Sequence, residues 1–113
     1  MFFNRRKRYN GDVSALLPAF GLDMQEIGIL GALGILDHAW DVKYSVYEAA
    51  LVLAYREAYE LYEKKELQRA DRLALDRLKP IQADWINKGI VRPQIMEPFG
   101  KKLEERMALA RKS

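Results

Sequence analysis

The sequence predicts an all-α protein, a small helical bundle built on one long central helix. Three observations carry that prediction. Between Ile35 and Lys79 there is neither a glycine nor a proline, and a stretch that long without chain breakers reads as helix. No segment alternates apolar and polar residues for long enough to make a strand. The chain has 113 residues and is half hydrophobic, which fits one domain with a genuine core.

The elements follow in order. Residues 1–11 form a basic arm, and 12–113 a single helical domain. Asp12 to Leu22 reads as an apolar connector. A first helix is predicted from about Asp23 to Trp40, with Asp23 as its cap and Glu26 three residues on. After a short joint, Ser45-Val46-Tyr47-Glu48 has the form of a capping box and starts the second helix. That helix is expected to run to Leu78, roughly 50 Å at 1.5 Å per residue, because Pro80 either stops it or opens the next one. A short helix over 80–88 ends at Gly89. Ile90 to Gly100, carrying Pro93 and Pro98, reads as an irregular link. A final amphipathic helix covers 101–112.

The apolar stripe of the long helix changes direction halfway. Leu51, Tyr55, Ala58 and Tyr62 share one face, while Leu67, Ala70, Ala74 and Leu78 share another, rotated by about 130°. Glu63-Lys64-Lys65-Glu66 marks the change. Those four residues have good helix propensity, so continuity is favoured over a hairpin.

Charge is distributed unevenly. Lys and Arg number 19 against 16 Asp and Glu, giving a net charge of +3. Arg5, Arg6, Lys7 and Arg8 stand in an arm with no acidic residue, so the remainder is near neutral. The chain has no cysteine, which excludes disulfides, thiolate catalysis and cysteine-ligated zinc. Polar residues interrupt every apolar run before about 18 residues, so no membrane-spanning helix is expected. The first residues resemble a signal peptide, but Pro18 and Gly21 break its apolar run and no small-x-small site follows. The expected location is intracellular, in the cytoplasm.

Four groups of residues are candidates for function. Tyr44, Tyr55, Tyr59 and Tyr62 gather on one side of the long helix. Tyrosine combines contact area with a hydroxyl, which suits a protein interface and equally a core rim. Gly28, Gly31 and Gly34 share a face of the first helix, where each costs about 1 kcal/mol relative to alanine. Close packing of another helix, in this chain or a second copy, would offset that. Arg5, Arg6, Lys7 and Arg8, flanked by Phe2, Phe3 and Tyr9, suit an anionic partner: phosphates through counterion release, bases through stacking, or an anionic membrane surface. Asp37, His38 and Asp41 are a weak metal candidate, because three convergent ligands are needed and His38 is the single histidine. Glu57, Glu60 and Glu63 read as a solvated face.

With no nucleophile motif and no cofactor fingerprint, the expectation is a non-enzymatic interaction protein without metal or cofactor. It would be an adaptor or small subunit, self-associating or bound to a protein partner, with the arm on an anionic surface. A nucleic-acid-binding protein using the arm is the alternative, and a peripheral membrane protein the second alternative.

Overall fold

The computed structural model describes residues 13–28, 31, 32, 34 and 44–112. Among these the secondary structure is helical, with no strand, as the sequence predicts. Residues 13–16 form a helical turn that tightens into a 3₁₀ turn, Leu17–Phe20, capped by left-handed Gly21. Helix α1 is Met24–Ile27. Helix α2 is Val46–Glu63. Helix α3 spans 67–87 in three segments: α-helical Leu67–Asp71, a π-helical stretch Arg72–Leu78, and α-helical Lys79–Asn87. Helix α4 is Pro93–Lys112.

The two predicted starts hold. Asp23 Oδ1 accepts the Glu26 N–H at 2.7 Å. The capping box at α2 is reciprocal, with Ser45 Oγ accepting from the Glu48 N–H and Glu48 Oε1 accepting from the Ser45 N–H. Each closes donors that a helix start leaves orphaned.

The predicted continuity of the long helix does not hold. It breaks at Lys64–Glu66, where the Glu66 N–H bonds to Leu61 O and the Lys65 N–H to Tyr62 O. That is a Schellman turn, and it places Lys65 at φ 64°. Glycine normally fills this position because a Cβ there is strained. Lysine occupies it here, so the stop carries no glycine signal in the sequence. The Lys65 Nζ donates to Ala110 O at 3.2 Å, tying the turn to the end of α4.

Pro80 neither stops nor starts a helix. Its missing N–H and its ring would disrupt a regular α-helix. The wide π turns precede it, with the Lys79 N–H reaching back five residues to Ala74 O, and so carry the chain past the proline. The link predicted over 90–100 is also mostly helix. Pro93 opens α4, and Pro98 lies inside it, where it forgoes a backbone hydrogen bond without ending the helix. Gly89 caps α3 as expected, at φ 76°.

The first helix predicted over 23–40 is interrupted at Gly28, which has φ 91° and caps α1. Residues 31, 32 and 34 are helical again, and the rest of that prediction lies outside the described residues.

Side-chain ties give the topology. Tyr62 meets Asp71 and Tyr55 meets Gln82, so α2 and α3 are antiparallel. Lys79 pairs with Glu104 and Asp71 with Arg111, so α4 runs against α3. Tyr59 reaches Phe99, and Glu63 pairs with Arg106, so α2 and α4 are parallel. The result is an up-down-up three-helix bundle. The segment before α1 covers another side of α2, with Val13, Leu17 and Phe20 buried and Phe20 edge-on to Trp85 at 5.7 Å. Helix α2 is thereby enclosed almost all round, and Arg56, Glu60 and Glu63 are its exposed residues.

Candidate functional site

The tyrosines belong to the core and do not form an exposed face. Tyr55, Tyr59 and Tyr62 are buried, and each hydroxyl is already engaged. Tyr55 donates to Gln82 Oε1 at 2.6 Å, Tyr59 to Phe99 O at 2.7 Å, and Tyr62 to Asp71 Oδ1 at 2.6 Å. Burial pushes the Tyr55 and Tyr62 phenols up to about 12 and Tyr59 higher still, so none exchanges protons near neutral pH. Tyr44 is half-buried and packs edge-on against Phe99 at 6.5 Å. The interface reading of Tyr55, Tyr59 and Tyr62 is therefore corrected: a ring that spans two helices of its own bundle is not available to a partner.

The glycines do not act as one face. Gly28 is a cap, and Gly31 and Gly34 are exposed, with no atom of the described residues within 4 Å of where a Cβ would stand. No helix among the described residues is pressed against them. Arg5, Arg6, Lys7 and Arg8, and likewise Asp37, His38 and Asp41, lie outside the described residues. Among the described residues no group of three or more His, Asp or Glu is arranged to hold a metal, and no helix is long and apolar enough to cross a membrane.

Six cations of the bundle are held in ion pairs among the described residues. Arg69 meets Glu66 at 2.8 Å, Lys88 meets Asp84 at 3.0 Å, and Arg106 and Arg111 are held by Glu63 and Asp71. Arg92 is anchored at Glu48, and Lys102 lies over the Tyr59 ring at 5.1 Å. The C-terminal helix therefore does not present its arginines as a free basic surface. Large exposed apolar side chains are few among the described residues: Leu75, Ile90 and Leu109.

The exception is a cavity of about 230 Å³ between the 3₁₀ turn, α1, α2 and α3. Arg69, Arg72 and Arg77 line it from α3, Glu26 from α1, and Glu57 from α2. Its apolar lining is Phe20, Leu22, Leu61 and Leu73. The π stretch holds Arg72 and Arg77 on this side while Leu73 and Leu78 turn into the core. Gly21 approaches Arg77 closely: a Cβ there would meet its guanidinium carbon at 3.4 Å.

No close ion pair joins the acids and arginines of this cavity among the described residues, and Arg69 acts on Glu57 only from a distance. Among the described residues Arg72 and Arg77 form no ion pair, and Glu57 forms no ion pair and no hydrogen bond. Glu57 is 8% exposed. Burial, reinforced by Glu60, pushes its carboxyl above the usual range, while Lys64 pulls the other way. A buried carboxylate without a partner is costly, and such groups concentrate where a ligand completes them.

Sequence reasoning placed Glu57 on a solvated face with Glu60 and Glu63, which are indeed exposed. The signal against this was its register. Leu53 and Leu61 lie one turn before and after Glu57 on the same face, and both are buried. Nothing in the sequence singled out Arg72 or Arg77. Comparison with protein-family models, curated proteins and solved structures finds no match for this chain.

Proposed function

We propose that this protein is a non-enzymatic helical interaction module, an adaptor or small subunit, that recognises an anionic group on its partner through Arg72 and Arg77. The observation that supports this best is their state: among the described residues neither forms an ion pair, and of the unpaired guanidiniums, Arg56, Arg72 and Arg77, these two share one cavity. Arginine presents a planar fork of donors suited to carboxylate and phosphate. The other cations of α3, Arg69, Lys79 and Lys88, are held in intramolecular pairs, so the cavity mouth is where α3 has positive charge to offer. The basic arm, Arg5 to Arg8, would add long-range attraction for the same kind of partner.

Elution from phosphocellulose in a salt gradient tests the reading. Arg72→Ala/Arg77→Ala is expected to elute well before the unmodified protein. Replacing Arg5, Arg6, Lys7 and Arg8 with alanine should shift elution too, with the two effects adding. Elution unchanged by the Arg72→Ala/Arg77→Ala pair, with all retention lost in the arm variant, would move recognition to the arm and refute the proposal.

A further inference from the structure

The walls of the cavity carry opposite charge. The acids come from α1 and α2, the arginines from α3, and the apolar side chains of Leu61 and Leu73 belong to the same lining. Despite sharing the cavity, Glu57 is not within ion-pair distance of any arginine. We infer that the cavity binds a small zwitterion: an ammonium held by Glu57, a short aliphatic spacer on the leucines, and a carboxylate or phosphate held by Arg72 and Arg77. This rests on the anion reading of Arg72 and Arg77 and adds a second pole to it.

The chemistry selects against simpler ligands. A bare anion gains the arginines but stands beside Glu57 and Glu26 with nothing to offset them. A bare cation meets three guanidiniums. An apolar ligand leaves the buried Glu57 carboxylate unsatisfied. A zwitterion gives the buried Glu57 donors and the exposed guanidiniums an acceptor, so both poles are compensated together. The volume fits this class: about 230 Å³ is below the roughly 300–1,000 Å³ of pockets that hold drug-sized molecules. Arg69 is already bound to Glu66 and serves as the outer rim.

Isothermal titration of the full chain tests the inference with defined probes. O-phosphoethanolamine and γ-aminobutyrate carry both charges. Inorganic phosphate, acetate and ethylammonium carry one each. The expected result is that one of the two zwitterions binds at least tenfold more tightly than every single-charge probe. Glu57→Gln keeps the volume of the side chain while removing its charge. It should lose at least tenfold for the zwitterion and leave phosphate unchanged or improved. A circular-dichroism melt establishes that this variant is folded, and Arg77→Gln, at an exposed position, supplies a second variant expected to lose the zwitterion.

Co-sedimentation with phosphatidylethanolamine vesicles separates the sources. Glu57-dependent sedimentation identifies a lipid headgroup, and its absence alongside tight binding of the soluble probe identifies a free zwitterion. Phosphate or acetate binding as well as the zwitterions, with Glu57→Gln neutral toward both, would overturn the inference and leave the anion reading standing. Silence from every probe would overturn it as well, and the elution of Arg72→Ala/Arg77→Ala then decides separately whether the anion reading falls.

Discussion

Glu48→Ala is expected to destabilise the bundle by about 3 kcal/mol, the scale of breaking a buried charge pair. Glu48 is 1% exposed. Its two oxygens accept from the Ser45 N–H, the Arg92 N–H and the Arg92 guanidinium, at 2.7–2.9 Å. One carboxylate thus caps α2 and pins the start of α4 to it. Alanine would remove the cap and leave the Arg92 N–H without its acceptor. The melting temperature should fall by roughly 12 °C, taking about 4 °C per kcal/mol for a domain of this size.

The same contact sets an acid limit. Burial alone would raise the Glu48 carboxyl, but the hydrogen bonds from Arg92 and Ser45 and the Arg92 charge outweigh it and hold it at about 2. The folded value lies below the unfolded 4.5, so the contribution is complete above pH 4.5 and is lost as pH falls from there towards 2. It amounts to at most about 3 kcal/mol, and less after screening, because Arg92 is 49% exposed. Urea unfolding followed across this range should therefore be steeper in pH for the unmodified protein than for Glu48→Gln.

Tyr62→Ala should be more damaging still, by about 4 kcal/mol, the range for removing a large ring from a core. Tyr62 is 1% exposed, touches α3 through Asp71 and has the Arg111 guanidinium 5.9 Å from its ring centroid. It joins all three helices of the bundle. Tyr62→Phe keeps the ring and should cost about 1 kcal/mol, since Asp71 retains Arg111. Urea melts of the pair separate ring from hydroxyl. Were Tyr62 a residue for a partner, alanine there would change the stability of the isolated chain by no more than about 0.5 kcal/mol.

The helical class was legible because propensity and the long run without glycine or proline agree, and Ser45 and Asp23 announced their helix starts through side chains that bond locally. The break at Lys64–Glu66 was not legible. Its left-handed residue is a lysine, and the contact at Ala110 lies 45 residues away. Pro80 and Pro98 misled for the opposite reason. A proline signals a break in an isolated helix, but the π turns precede Pro80 and carry the chain past it, and α4 continues through Pro98. Burial on two sides of α2 hid Glu57: a single helical stripe predicts one buried face, and the segment containing Leu17 and Phe20 supplies the second cover. The cavity is tertiary throughout, with Glu57 and Arg77 meeting there only because the chain reverses at Lys65.

The most direct test is to map amide and arginine side-chain NMR shifts of the full chain as inorganic phosphate is added to saturation. The largest shifts are expected on Phe20 to Leu22, on α3 from Arg69 to Arg77, and on the side-chain N–H groups of Arg72 and Arg77. Shifts concentrated at Arg5 to Arg8 or at Lys101 and Lys102, with α3 unmoved, would contradict the anion reading.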